Sequence, residues 1–296
     1  MKILISGHTG QVARELQLAL SKHELVSLGR QAFDLSRPDS LRETILRERP
    51  ALVINAAAYT AVDKAETEGH AAQAANATTP GAIARWCALH NVPLVHYSTD
   101  YVFAGDKSTA YVEDDPTGPL NVYGQTKLEG EQAIRASGCP HLILRTSWVY
   151  AARGGNFAKT MLRLAADRAE LRVVADQVGA PTSAELIADV TALVLQRIAT
   201  DAALGKTASG TYHLVASGAT SWHGYAQFVI GEAARLGIAL RATPESIHPI
   251  TAAEYPVPAQ RPANSRLDNH KLQQTFGLEL PTWEFHVKRM LIELNN

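Results

Sequence analysis

Lys2-Ile3-Leu4-Ile5-Ser6-Gly7-His8-Thr9-Gly10-Gln11-Val12-Ala13 opens the chain and decides its fold. Lys2 to Ser6 is a short apolar run of the kind that forms a buried strand. Arg14-Glu15-Leu16-Gln17-Leu18-Ala19-Leu20 then carries a helical pattern. Strand, glycine turn and helix in that order are the setting that a dinucleotide-binding loop requires. Gly7 allows a tight turn, Gly10 lets the backbone approach a pyrophosphate, and Ala13 is small where the helix must pack on the strand. The helix start at Gln11 and Val12 offers free N–H groups and a partial positive charge to an anion. The spacing is G-x-x-G-x-x-A and not the G-x-G-x-x-G of many dehydrogenases.

Working outward, strands and helices continue to alternate. Glu24–Leu28, Phe33–Leu35, Ala51–Ala57, residues 93–103 and His141–Arg145 read as strands, with helices over Ser40–Arg49, Ala71–His90 and the segment after Tyr123. Pro80 is expected to interrupt the second of these helices. The alternation predicts an α/β protein: a Rossmann-like, doubly wound parallel sheet with helices on both faces. Residues 104–121 form a long loop, a feature that is usually functional in a compact domain. After Tyr150 the pattern loosens into helices at 157–168, 184–199, 221–237 and 282–294, strands at 171–175 and 211–215, and a polar surface connection from Asp201 to Gly210. Tyr255-Pro256-Val257-Pro258-Ala259-Gln260-Arg261-Pro262 cannot be regular structure. The expected division is a dinucleotide-binding domain over 1–150 and a smaller C-terminal α/β substrate-binding cap over 151–296, with the helix near 184–199 free to return to the first.

Two further segments supply chemistry. In Val122-Tyr123-Gly124-Gln125-Thr126-Lys127, Tyr123 and Lys127 stand four residues apart, so one helical turn puts them on one face. A phenol titrates near pH 10, and a neighbouring ammonium favours its ionised form. The pair therefore offers a tuned acid and base for a carbonyl or alcohol. Pro93-Leu94-Val95-His96-Tyr97-Ser98-Thr99-Asp100 runs from an apolar strand into three polar residues. Polar groups at the carboxyl end of a parallel strand face the crevice where ligands bind.

Composition excludes several classes. The 296 residues are 46% hydrophobic and 19% charged, with a formal net charge of −1. That balance gives no electrostatic case for a nucleic-acid partner or an anionic membrane, and no apolar run reaches membrane-spanning length. Cys87 and Cys139 are the only cysteines; read as small buried thiols beside an N-terminus without a signal-peptide pattern, they imply a cytoplasmic protein. The histidines lack zinc-ligand spacing.

These segments together resemble the extended short-chain dehydrogenase/reductase superfamily, and within it the reductases of 4-keto deoxysugars carried on thymidine diphosphate. The resemblance covers almost the whole chain. Besides the motifs above it includes Asn55-Ala56-Ala57-Ala58-Tyr59-Thr60-Ala61-Val62-Asp63, Arg145-Thr146-Ser147-Trp148-Val149-Tyr150, Asp176-Gln177-Val178-Gly179-Ala180-Pro181-Thr182 and Arg261-Pro262-Ala263-Asn264-Ser265. It implies NADPH- or NADH-dependent reduction of the 4-keto group of dTDP-4-dehydro-L-rhamnose to dTDP-L-rhamnose, a step in cell-surface polysaccharide synthesis. Tyr123 is then the proton donor, Lys127 tunes it and holds the nicotinamide ribose, and Thr99 pairs with the carbonyl. Gly7, Gly10, Gln11, Val12, Ala56, Ala57 and Ala58 approach the dinucleotide. Thr60, Val62, Asp100, Trp148 and Arg261 face the dTDP-sugar. The resemblance further implies a homodimer with a structural Mg2+ at Glu15, Glu185 and Glu293, for which solvated helix faces are the competing explanation.

One departure bears on the cofactor. Leu28-Gly29-Arg30 lacks the acidic residue that would bond a ribose 2′-hydroxyl, and an arginine there suits a 2′-phosphate. Asp34 and Leu35 are expected to flank the adenine. Two other functions remain open at this stage: a nucleotide-sugar epimerase or dehydratase with retained NAD, and a non-catalytic regulatory subunit like that of methionine adenosyltransferase. Tyr101 stands after Thr99-Asp100 where a dehydratase needs an acid, and Thr99, Tyr123 and Lys127 are intact.

Overall fold

The structure is a computed structural model that describes residues 1–29 and 44–295. Its centre is a six-stranded sheet built on β1 (Lys2–Ser6), β2 (Glu24–Leu28), β3 (Leu52–Asn55), β4 (Leu94–Thr99) and β5 (His141–Thr146), with Gly210–His213 as the sixth strand. From one edge the order is Gly210–His213, β5, β4, β3, β1, β2, and all neighbours run parallel. Chain order reverses at β1, so a crevice opens beyond the carboxyl ends of β1 and β3, where such sheets bind ligands.

Both faces are buried, which is why the strands read as continuous apolar runs. Ile3, Ile5 and Ile54 join one core with Leu186, Ile187 and Val194. Leu4, Val53 and Ile143 join the other with Ile83, Trp86 and Ile134. Alternate residues of one strand thus feed opposite cores. The helices Gln11–Ala19 and Ala184–Thr200 pack together on the first face, and Thr79–His90 and Val122–Ser137 on the second.

Beyond β5 a smaller layer forms. Leu171–Val174 pairs in parallel with Ile247–Ile250. Phe157–Asp167 and Trp222–Arg235 pack over them through Met161, Ala165, Ala226 and Ile230. Helix 184–200 and strand 210–213 belong to the main sheet layer, so the chain crosses between the layers more than once.

Several local expectations change. The segment 201–210 is not a plain connection: Asp201 accepts the N–H groups of Ala203 and Leu204 and so caps the helix Ala202–Thr207. Residues 71–90 are not one helix with a break at Pro80. Gly69–Gln73 continues through a π-helical turn, Ala74–Thr78, into Thr79–His90, and Pro80 follows directly on that turn without breaking the helical path. The strand read over 93–103 ends at Thr99 and gives way to a single 3-10 turn, Asp100–Val102, because the Thr99 hydroxyl accepts the Tyr101 N–H. The helix His270–Phe276 and the strand Ile247–Ile250 carried no sequence signal. The strand at Phe33–Leu35 lies outside the described residues. Among the described residues no helix is long and apolar enough to cross a membrane.

Candidate active site

The loop after β1 has the geometry that a dinucleotide phosphate requires. Gly7 adopts φ +90°, in the left-handed region, and a Cβ there would stand 3.3 Å from the Ala57 nitrogen. Gly10 precedes the helix Gln11–Ala19, whose first turn has no side-chain cap, and nothing lies within 4 Å of where a Gly10 Cβ would be. The N–H groups at Gln11 and Val12 are therefore not taken by a side chain, and the approach to them is open. Ala13 is fully buried against the core, as a small packing residue must be. Ala56, Ala57 and Ala58 follow β3 half-buried beside this loop, with the Ala56 N–H donating to Ser6 O at 3.2 Å. These features fit a nicotinamide dinucleotide.

The helix Val122–Ser137 carries Tyr123 and Lys127. Asn121 caps it by accepting the Gly124 N–H at 2.8 Å, and donates its own amide to Gln260 O at 2.8 Å. A Cβ on Gly124 would collide with the Tyr101 carbonyl, so a glycine is what lets the helix start lie against the 3-10 turn after β4. This contact brings Tyr123 to Thr99. The Tyr123 phenol is pushed up to about 12 by burial, while its hydrogen bond with Thr99 opposes the shift and the Asp100 charge adds to it. Lys127 does not figure among the groups acting on the phenol, its ammonium being turned to Tyr97 O and His96, so the expected pull toward the phenolate is not seen and the phenol stays protonated.

Lys127 is 2% exposed. Its ammonium donates to Tyr97 O at 2.6 Å and lies 3.3 Å from His96 Nε2. Burial lowers it to about 8, and the Glu131 carboxylate one turn on works the other way. Asp100 is also buried; burial lifts its carboxyl to about 6, Oδ1 accepts from the Thr99 hydroxyl at 3.1 Å, and Oδ2 has no partner among the described residues.

On the proposed substrate side, Thr60 is exposed and Val62 begins the short helix Val62–Ala65. Arg261 donates to Asp63 Oδ2 of that helix at 2.8 Å, and its guanidinium stands 5.9 Å from the Tyr101 ring centre. Its Nη1 is buried with no partner among the described residues. Trp148 adopts φ +47° and stacks on Trp222 with ring centres 3.6 Å apart. Sequence reasoning named Trp148 and missed Trp222, which belongs to a helix that reads as ordinary core. It also missed Asn76, in the π-helical turn, whose side chain clasps both backbone groups of Tyr59 and reaches Thr126 on the catalytic helix. The π turn that presents Asn76 has no signature in the sequence.

Glu15, Glu185 and Glu293 line one cavity of about 590 Å³ together with Arg14, Arg153 and His286. The structure does not support the magnesium site. Glu185 is engaged by Arg289 at 2.5 Å, and among the described residues no group of three or more ligating side chains is placed to hold a metal ion. Arg30, Asp34 and Leu35 lie outside the described residues.

A phosphate-receptive loop, a parallel doubly wound sheet and a Thr–Tyr–Lys set at its carboxyl edge define a nicotinamide-dependent oxidoreductase of the short-chain dehydrogenase/reductase class. The family described as "RmlD substrate binding domain" matches residues 1–296. The chain is 52% identical over 299 residues to a dTDP-4-dehydrorhamnose reductase of Shigella flexneri, covering 99% of this chain and 98% of that one. It is 47% identical to one from Burkholderia thailandensis, covering 97% of each. A crystal structure of the Bacillus anthracis dTDP-4-dehydrorhamnose reductase in complex with NADP superposes with a TM-score of 0.87 at 31% identity, covering 99% of each chain. The chain belongs to the dTDP-4-dehydrorhamnose reductase family. UDP-glucose 4-epimerase of Thermus thermophilus, 18% identical at a TM-score of 0.80 over 100% of this chain and 99% of that one, shares the fold.

Proposed function

We propose that the protein reduces the 4-keto group of dTDP-4-dehydro-L-rhamnose to give dTDP-L-rhamnose, using a reduced nicotinamide dinucleotide. The observation that carries this is the helix start that lays Tyr123 against the turn after Thr99 through Gly124, with Lys127 fixed by Tyr97 O one turn on, at the carboxyl edge of β4 and beside the open glycine loop. When bound, the nicotinamide supplies the hydride. Tyr123 gives its proton to the oxygen of the reduced carbonyl, and the Thr99 hydroxyl positions that oxygen. Lys127, fixed by Tyr97 O, places a positive charge where negative charge develops, the point at which electrostatic stabilisation lowers the barrier most. Gly7, Gly10, Gln11 and Val12 receive the pyrophosphate, and Ala56, Ala57 and Ala58 leave room for the adenosine. Arg261, with Nη1 free of partners, receives the substrate diphosphate. Thr60, Val62, Asp100 and Trp148 line the sugar.

The finer assignments form part of the same proposal. Residues 1–150 chiefly hold the dinucleotide and 151–296 the sugar nucleotide, with helix 184–200 and strand 210–213 serving the first region. NADPH is used at least as well as NADH through Arg30. The protein acts in the cytoplasm as a homodimer; the exposed Leu18, Phe285 and Ile292 support self-association.

Stoichiometric NADPH consumption with the keto-sugar nucleotide tests the reaction. An epimerase, a dehydratase or a regulatory subunit would show no net consumption. Measuring kcat/KM with both cofactors, for wild type and Arg30→Ala, tests the cofactor choice; an unchanged ratio rejects Arg30.

A further inference from the structure

Ser6, Asn55 and His96 sit on one rung of the sheet. Ser6 is the register partner of Asn55 across β1 and β3, and Asn55 of His96 across β3 and β4. All three are at most 1% exposed. Such polar groups are tolerated in a core only when bonded to one another. The Ser6 hydroxyl bonds to Asn55 Oδ1 at 2.5 Å, the Asn55 amide nitrogen lies 3.0 Å from His96 Nδ1, and His96 Nε2 lies 3.3 Å from Lys127 Nζ. At the far end Ser6 Oγ accepts the Ala57 N–H at 3.4 Å. The rung therefore runs from the loop after β3, past the residue that precedes Gly7, to the catalytic lysine.

Its hydrogen bonds admit two consistent arrangements. His96 is neutral, because burial first and the Lys127 charge second hold its pKa well below the usual histidine value. With the Asn55 amide nitrogen toward Nδ1, that nitrogen must accept, Nε2 carries the proton, and it donates to an uncharged Lys127 amine. With the Asn55 amide turned round, Nδ1 carries the proton and Nε2 accepts from a Lys127 ammonium. Rotation of one buried amide thus keeps Asn55, His96 and Lys127 bonded in both charge states of the lysine, with the Ser6 oxygen donating to Asn55 in the first arrangement and accepting from its amide in the second. The charged group acting on Lys127 is Glu131 on its own helix, where the titratable Tyr123 stands one turn earlier; from β4 it meets the uncharged His96 and Tyr97 O.

We propose that His96 is a positioning residue for the reduction: the Ser6–Asn55–His96 rung holds Lys127 Nζ in place in either protonation state and ties it to the two loops that receive the dinucleotide. The assignment rests on the function proposed above for Lys127, but the rung can be tested apart from that function.

The test compares His96→Leu, which removes both ring nitrogens, with His96→Gln, whose amide can donate or accept. Titration of the Lys127 ζ-nitrogen by NMR, with no substrate present, reads the rung directly; the signal is assigned by its loss in Lys127→Met. The midpoint is expected to fall by about one pH unit in His96→Leu, because an ammonium loses more than an amine when a buried partner is removed. It should return to the wild-type value in His96→Gln. In turnover, His96→Leu is expected to lose about 10- to 100-fold in kcat, the scale of a misplaced catalytic group, with the substrate KM nearly unchanged, and His96→Gln to recover most of it. An unchanged Lys127 midpoint in His96→Leu overturns the proposal, as does equal loss in both variants when each is folded and binds cofactor. Should His96→Leu fail to fold, His96→Gln decides alone: activity within about threefold of wild type supports the rung, and a loss above about tenfold at unchanged melting temperature rejects it. Absence of keto-sugar reduction by the wild type would reject the proposed reaction, and the NMR titration would still judge the rung.

Discussion

Asp63 and Arg261, 198 residues apart in the chain, are joined by an ion pair of 2.8 Å that fastens the Pro-rich segment to the short helix after β3. Asp63 also accepts the Ala259 N–H at 3.2 Å, so one carboxylate holds two points of that segment. The pairing leaves Nη1 of Arg261 unengaged. Arg261→Ala is expected to raise the substrate KM by about 10- to 100-fold, the worth of a hydrogen bond to a charged group, with a smaller change in kcat. Asp63→Ala should raise KM less, because the arginine remains but is no longer aimed. Equal protection of wild type and Arg261→Ala by thymidine diphosphate in a thermal-shift assay would remove Arg261 from the site.

Tyr123→Phe keeps the ring and its edge-to-face contact with Tyr101, 5.6 Å between centres, and removes only the acidic hydroxyl. Turnover should fall about 10²- to 10⁴-fold, the usual loss for a general acid. Cofactor affinity, read by quenching of tryptophan fluorescence, should stay within a factor of about two, since the phenol is given no part in binding. Residual activity within a few-fold of wild type would assign the proton to another group.

The depressed Lys127 predicts the alkaline behaviour. Its folded value of about 8 lies below the ordinary 10.5, so the ammonium is lost as pH rises past 8 while the protein remains folded. A plot of log kcat/KM should bend downward near pH 8, well before Tyr123 ionises. A profile flat to pH 10 would show that the charge on Lys127 is not needed. The linked stability has the opposite sense: between pH 8 and 10.5 the unfolded chain binds more protons at this residue than the native one, so this group makes stability rise with pH there.

Asp100 behaves inversely. Its folded value is raised from 3.8 to about 6, so the native state binds more protons than the unfolded state between those limits. Its contribution to stability is fully present below pH 3.8 and is lost as pH rises through about 6. Asp100→Asn should therefore stabilise the protein at pH 7.5, on the order of 2 kcal/mol, and bring no gain at pH 3.5. Urea unfolding at both values checks this; an equal effect at the two pH values would show that the change acts through packing.

Behind the site, Glu131 is fully buried and is gripped by Arg145 through two bonds of 2.9 and 2.7 Å, with Arg135 at 3.1 Å on its outer side. Removing one partner strands a buried charge. Arg145→Met is expected to destabilise the fold by about 3–5 kcal/mol, and adding Glu131→Leu to restore much of that. Chemical denaturation of the two variants measures the difference. A single variant as stable as the double would mean that Arg135 alone suffices for Glu131.

The sequence carried those features whose cause is local. The glycine loop, the alternation of strands and helices, and the Tyr123–Lys127 spacing each depend on a few neighbouring residues, and the structure has them where they were expected. What stayed hidden depends on the register between distant segments. His96 in an apolar run reads as core until β3 and β4 align and bring Asn55 beside it. Trp222 gains its meaning only when Trp148, 3.6 Å away, turns into the left-handed region to meet it. Arg30 was legible as a residue type, but its surroundings were not. Asp201 is a residue type that caps helices, but the stretch after it is short and polar and reads as a connection.

The strand Gly210–His213 lies along β5 at the edge of the main sheet, although it comes some 60 residues later in the chain, after Phe157–Asp167 and Ala184–Thr200. Anyone wishing to exchange the sugar-binding region for that of another enzyme therefore faces a two-piece graft, not a cut at a single hinge. Ending the chain at Tyr150 would leave β5 with a bare hydrogen-bonding edge and Leu144 without the cover of Tyr212, a surface suited to self-association. Diversification of substrate choice on this scaffold is thus expected to proceed by changes within loops, because swapping the region wholesale breaks the sheet that carries the cofactor.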